Sequence, residues 1–385
     1  MAQPKNFGFG ADEQMVRDQA SRFLKDNLPV DKLRNLVAHD HKNAYEAAVQ
    51  PALWDEKLWK QAVDLGWTGL GIPEAQGGVG LPLVAVAAVA EEAGRAALPS
   101  PLMATLCATE VLKACDSDGA RAALEAIVGG AAASLATTGE AADWESADAD
   151  VTARPSAGGF TLDGSAHFVQ DARKAGFFVV SARAESGTLL ARVAADAPGL
   201  TIEADRITDL TRDQASLRLK GVEVKSADVL AAPGTADAAI KKALPSILTL
   251  VAADICGAGE WQLQTTTEYA RTRKQFDHAI GYFQAVKHPI VNMMLDLDRA
   301  KSLVYAAACA IDHEPEQAER LARMAKAAAS DAAQFLSGRS IQLHGGIGFT
   351  WECDVHIWVK RQQHSQFLWG DGTWHRARLA EAFDA

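Results

Sequence analysis

The chain lacks the short signatures that identify several enzyme classes. No G-x-G-x-x-G follows a strand-like run, and there is no G-x-x-x-x-G-K-[ST], H-E-x-x-H or G-x-S-x-G. These absences prune a Rossmann nucleotide site, a P-loop, a zinc protease and an α/β-hydrolase. Cysteine is scarce: there are five, an odd number, none in a C-x-x-C pair. They read as small buried hydrophobes in a reducing compartment, not as a disulfide framework. Positive charge is also short. A formal net charge of -11 argues against binding the nucleic-acid backbone. An anionic substrate would need a local basic site working against the overall field. The uncharged apolar run from Leu83 to Ala90 is far too short to span a bilayer. The N-terminus shows no basic start followed by an apolar run, so no signal peptide is read. The expectation is a soluble cytoplasmic protein with no nucleic-acid or membrane partner.

What is present suggests two or three domains, since 385 residues exceed one hydrophobic core. Residues 1–114 are helical in pattern. A helix beginning near Asp12 carries acids in its first turn, a second runs through Leu58 and stops at Gly66, and an alanine-rich helix ends near Ala97. Gly71 to Gly80 is a loop on composition. Residues 115–234 change period. Short runs at Val151, Gly159–Gly164, Phe177–Ser181, Leu189–Val193 and Ser216–Val224 are separated by turn residues such as Asp163-Gly164, which predicts a small β domain, barrel or sandwich. Residues 235–385 are helical again. Long segments over 237–272, 285–313 and 315–343 place Ala, Leu and Met at three- and four-residue spacing, which predicts a four-helix bundle. The fold class expected is α+β.

Two segments carry chemistry. In Arg273-Lys-Gln-Phe-Asp-His-Ala-Ile-Gly-Tyr-Phe-Gln284, an arginine follows a long helix, with Phe276 and Gln284 behind it. A guanidinium suits a diphosphate because it stays charged and donates two parallel hydrogen bonds. A lone arginine is usually a surface ion pair, but the accompanying residues favour a ligand. In Gln342-Leu-His-Gly-Gly-Ile-Gly348, a helix ends in a glycine-rich turn. One glycine would serve as a cap. Three, with a glutamine before them, suit a backbone that approaches a ligand closely. His39-Asp40-His41 reads as solvated side chains, and nothing else has metal-ligand spacing.

The order of helical domain, β domain and helical bundle resembles the acyl-CoA dehydrogenase family, as do R-x-x-F…F-Q and Q-x-x-G-G-x-G-F. The loop Gly71-Ile-Pro-Glu-Ala-Gln-Gly-Gly-Val-Gly80 is similar to that family's N-terminal loop. The resemblance covers essentially the whole chain. It implies that Arg273, Phe276, Gln284, Gln342, Gly345 and Gly346 reach across a dimer interface to the ADP side of an FAD whose flavin lies in the neighbouring subunit. Asp277 stands where the family usually has glycine.

The family's reaction needs a carboxylate base beside the substrate α carbon and donors to the thioester carbonyl. A gapless extension from Gly346 puts Trp369-Gly370 on the family's Glu-Gly, with Arg376 in register behind. A two-residue shift offers Asp371 instead. A second base position known in the family falls near Ile247, and Asp254 and Glu260 on the same helix read as structural. The family's Thr-Glu-Pro…Gly-Ser-Asp is replaced by Ala136 to Ser146, and its tryptophan-bearing strand by His167-Phe-Val-Gln-Asp171. The resemblance therefore implies an acyl-CoA substrate, FAD, and a second acyl-CoA dehydrogenase-like chain that supplies flavin pocket and base. The wording HGGIGFTWE is most similar to steroid side-chain-degrading members, which form unequal pairs. Two other readings stay open: a self-sufficient homo-oligomer or related flavin oxidase with Asp371 as base, and a non-catalytic scaffold that has lost flavin.

Overall fold

The computed structural model describes residues 4–145 and 147–382. Seven helices come first: α1 (Ala11–Asn27), α2 (Val30–Ala38), α3 (His41–Glu46), α4 (Glu56–Asp64), α5 (Leu83–Arg95), α6 (Leu102–Ala114) and α7 (Asp118–Val128). Eight strands follow: β1 (Ala133–Ala136), β2 (Asp150–Ser156), β3 (Gly159–Gln170), β4 (Phe177–Ala184), β5 (Gly187–Ala194), β6 (Leu200–Ala204), β7 (Gln214–Lys225) and β8 (Val229–Ala231). Then come α8 (Ala236–Thr272), a two-strand ribbon β9 (Lys274–Gln275) and β10 (His278–Ala279), α9 (Gln284–His313), α10 (Pro315–His344), α11 (Val355–Ser365) and α12 (Gly372–Glu381). The chain divides into two units, one of residues 1–39, 83–98 and 248–385 and one of residues 40–82 and 99–247.

The second unit holds the sheet. Seven strands run in the order β6-β7-β3-β2-β4-β5-β8, and β1 pairs in parallel with β4. This is a single eight-stranded sheet, where the sequence left barrel and sandwich open. Alternating residues such as Val151, Leu162, Phe178, Val180, Leu189 and Leu217 bury one face. The Asp163-Gly164 pair does not separate two strands. It lies inside β3, where the pairing with β7 shifts register between Leu162 and Gly164. Gly164 has φ +132°, and a Cβ there would stand 2.0 Å from the Asp150 carbonyl oxygen. Here the glycine serves a bulge with close backbone approach and not the turn that its composition suggests. In the same unit the Asp55 carboxylate accepts from the Lys57 and Leu58 amides to start α4, and Gly66 at φ +80° follows its end.

The first unit is helical. Its α5 and α8 cross at reciprocal glycines: a Cβ on Gly94 would stand 2.0 Å from the Asp254 carbonyl oxygen, and one on Gly257 1.8 Å from that of Glu91. Glu91 is buried between the helices and takes Tyr305 O–H at 2.7 Å, Lys301 Nζ at 3.0 Å and Arg17 Nη2 at 3.1 Å. Gly257→Ala must push a methyl against backbone that cannot rotate away. A loss of about 1–3 kcal/mol or more is expected, read as a lower urea midpoint; an unchanged midpoint would contradict the close crossing.

The three long helices of this unit match the sequence expectation closely. Proline at the first position of α10 and Gly345 past its end set its length. Among the described residues no helix is long and apolar enough to cross a membrane, and no cluster of three metal-ligating side chains occurs.

Candidate functional site

The site is built at the ends of α8 and α10. On the last turn of α8, the Tyr269 ring stacks on His344 at 4.4 Å, and its hydroxyl donates to the His344 carbonyl at 3.5 Å. His344 closes α10 and is buried. Burial lowers its pKa, against a hydrogen bond from Nδ1 to the Ser340 carbonyl at 2.8 Å. One turn earlier, Thr266 donates to Ser340 at 3.2 Å. These contacts bring together the two segments singled out in the sequence. Neither Tyr269 nor His344 was picked out there, because nothing in the local pattern says that two helix ends meet.

Beyond Tyr269 the chain folds back in the β9–β10 ribbon, with Arg273 just before it. The Ile280 amide donates to the Arg273 carbonyl at 2.8 Å, which fixes the backbone on both sides of the turn. The two turn residues, Phe276 and Asp277, have φ +52° and +63°. Two consecutive left-handed residues are what a tight two-residue hairpin requires. Asp277 therefore does the conformational work of the family's glycine, since a short polar side chain tolerates this region. Phe276 is held there while 83% exposed. A bulky residue in a left-handed conformation with its ring in solvent is an outlier that points to use.

All six sequence candidates are exposed: Arg273, Phe276, Gln284, Gln342, Gly345 and Gly346. Among the described residues the side chains of Arg273, Gln284 and Gln342 make no hydrogen bond or ion pair. Gly345 has φ +67°, which a helix terminator requires. Gly346 has no such need, and a Cβ there would meet nothing within 4 Å. Its lack of a side chain has no explanation within this chain. Gln342, Gly345, Ile341, Gly338, Phe349 and Gln363 line part of a groove of about 580 Å³. Of the six candidates, Gln342 and Gly345 line this groove.

The position of the expected base differs. Trp369 is 6% exposed with φ +60°, and its carbonyl accepts from His375 Nε2 at 2.8 Å. Asp371 caps α12, its Oδ1 accepting from the Trp374 amide at 2.8 Å. Ile247 is fully buried. Asp254 is paired with Arg361 at 2.6 Å. Glu260 accepts from Lys301 at 3.1 Å; burial pushes its pKa up, but Lys301 more than offsets this and the net shift is down. Each of these carboxylates already has a partner in the chain: the Trp374 amide for Asp371, Arg361 for Asp254 and Lys301 for Glu260.

In the β unit, the two segments that depart from the family pattern lie side by side. The His167 amide donates to the Thr138 carbonyl at 2.9 Å, and the Trp144 ring lies 5.9 Å from Phe168. His167 shares hydrogen bonds with Ser165 and Ser216, each at 3.1 Å. Ser146, at the end of the first segment, lies outside the described residues.

Comparison with known proteins decides the family. Residues 10–131 match the acyl-CoA dehydrogenase N-terminal domain and residues 238–383 the C-terminal domain. Acyl-CoA dehydrogenase IpdE2 of Mycobacterium tuberculosis is 34% identical over 85% of this chain and 88% of its own length. The chain belongs to the acyl-CoA dehydrogenase family. Its fold matches the ChsE4-ChsE5 complex from Mycobacterium tuberculosis with a TM-score of 0.86, at 24% identity over 98% of this chain and 99% of that one. A variant of the Tcur3481-Tcur3483 steroid ACAD matches with a TM-score of 0.84, at 26% identity over 97% and 98%. Acyl-CoA dehydrogenases are FAD-dependent oxidoreductases, so this chain carries the fold of a flavoprotein. The helical N-terminal region, middle sheet and helical C-terminal region are those of the family.

Proposed function

We propose that this chain is one half of a heteromeric acyl-CoA dehydrogenase and lends its nucleotide-binding corner to an FAD whose flavin and catalytic base belong to the partner chain. The observation that carries the reading is a contrast. Arg273, Gln284 and Gln342 are exposed and unpaired within the chain and a Cβ on Gly346 would meet open space, while the position counted for the base holds a buried tryptophan. Exposed donors with no partner inside the chain suit a ligand brought by another chain.

On this reading Arg273 grips the diphosphate with its planar fork, and Phe276 covers an apolar part of the nucleotide. Gln284 and Gln342 donate or accept at its polar edge, and Gly345-Gly346 admit it close to the backbone. A bound flavin would supply the acceptor for a hydride from the acyl chain. In this chain nothing at Trp369 can take the α proton. The β unit agrees with this reading: in the two segments that replace the family pattern, Trp144 and Phe168 stand ring by ring, 5.9 Å apart. The substrate inferred is a bulky acyl-CoA such as a steroid side-chain thioester. The relatives named as steroid enzymes or as paired complexes support this by analogy. The division into residues 1–114, 115–234 and 235–385 belongs to the same proposal.

The test is native mass together with flavin count. Expressed alone, the chain is expected to be colourless and to give no acyl-CoA-dependent dye reduction. Purified with its partner, it is expected to carry one flavin per two unlike chains. A yellow, active homo-oligomer would overturn the proposal in favour of a self-sufficient enzyme using Asp371. A paired complex without flavin would favour the scaffold.

A further inference from the structure

The turn after α11 contains an unusual combination. Trp369 and Gly370 have φ +60° and +90° in succession. Glycine adopts such a conformation freely, whereas a tryptophan must be held there by its surroundings. The holding groups are visible. His375 donates to the Trp369 carbonyl at 2.8 Å, and Asp371 caps the helix that follows. The third is Lys326, on α10 within an alanine-rich stretch. Its ammonium is completely buried and donates to Ser330 Oγ at 2.9 Å, the Gln366 carbonyl at 2.9 Å and the Gly370 carbonyl at 2.6 Å.

An ammonium has three donors, and here each has an acceptor. Two of these acceptors are carbonyls at and beyond the C-terminus of α11, where helix geometry leaves carbonyls without partners. No carboxylate is among the acceptors. Burial pushes the Lys326 pKa down to about 7, with Asp371 acting the other way from a distance. A buried cation without a contacting anion is costly, so packing alone gives no reason for a lysine here.

We infer that Lys326 is a positioning residue. It ties the Gln366–Gly370 turn to α10 and thereby seats Trp369 in the place where the family carries its base. This rests on the register that puts Trp369 at that position. The half-site is then not merely short of a carboxylate: the backbone that would present one is fixed from three sides with an indole in place. Lys326 touches neither substrate nor cofactor, and acts only through the turn.

The experiment uses the full chain and needs neither flavin nor partner, so its outcome is independent of the shared-cofactor reading. Amide hydrogen exchange is measured on wild type and Lys326→Met. About tenfold faster exchange is expected in the 366–372 peptide, with α9 changed by less than about twofold. Tryptophan fluorescence supplies a second signature. The spectral change caused by Lys326→Met should largely vanish when Trp369→Phe is already present. A lysine that merely stabilised the fold would change both backgrounds equally, and that result would overturn the inference. Unchanged exchange in the turn would overturn it as well. Should Lys326→Met be insoluble, Lys326→Gln retains a polar donor and gives the same reading at smaller amplitude.

Discussion

Arg273→Ala is expected to raise the dissociation constant for FAD of the paired complex by about 100-fold or more, with no loss of stability in the isolated chain. Hydrogen bonds to charged groups contribute about 1.5–3 kcal/mol each, and a fork makes two of them, so about 3–6 kcal/mol is lost. At about 1.4 kcal/mol per decade, this amounts to a factor between about 100 and 10,000. The isolated chain should not notice, because the guanidinium has no partner among the described residues and lies exposed. An exposed residue of this kind changes stability by no more than about 0.5 kcal/mol when replaced. Arg273→Lys should recover only part of the affinity, since an ammonium cannot make two parallel bonds. The measurement is equilibrium flavin titration of the apo-complex at fixed ionic strength, with urea unfolding of the chain alone as the control. Retained affinity in Arg273→Ala would remove the arginine from the nucleotide site and leave the corner without its main donor.

The sequence could single out the residues proposed for this corner because they are local in the chain. Arginine, phenylalanine, glutamine and paired glycines keep their meaning whatever packs elsewhere. The long helices were legible for a related reason: α8, α9 and α10 have few internal breakers and strong terminators. α6 was harder to see. Residues Leu102 to Leu112 are all buried, so no polar face marks a period. β1 is four residues long and gains its identity only by pairing in parallel with β4, more than forty residues away. The Asp163-Gly164 bulge looks like a turn in sequence because turns and bulges use the same residues. Lys326 could not be found at all: in a helix of alanines a lysine reads as a solvated charge, and only the turn that follows α11 buries it. The base position shows the same limit. Sequence placed Trp369 there by counting, but its left-handed backbone and the capping role of Asp371 are properties of packing.

Arg361→Met is expected to destabilise the helical unit strongly, although the two side chains are similar in length. Arg361 is fully buried on α11, and Asp254 is 1% exposed on α8. The guanidinium meets the carboxylate at 2.6 Å and also donates to the Leu98 carbonyl at 3.4 Å. Removing one partner leaves the other charge buried and uncompensated, which costs about 3–5 kcal/mol. Against total stabilities of about 5–15 kcal/mol, that is a large fraction. Asp254→Leu should cost a similar amount for the mirror-image reason. The double replacement should not add the two losses. With both charges gone and the volume roughly filled, stability should return close to wild type or rise above it by about 1–4 kcal/mol. A local reporter stands beside the pair: Trp261 and Trp358 stack at 3.4 Å, and Trp358 Nε1 donates to the Arg95 carbonyl at 2.9 Å. Loss of Arg361 should release α11, so indole fluorescence should report unfolding at lower urea than in wild type. If the single variants unfold where wild type does, the pair is not holding α11 to α8. If the double variant is as weak as the sum of the singles, the stabilisation comes from Leu98 and neighbouring contacts instead of the paired charges.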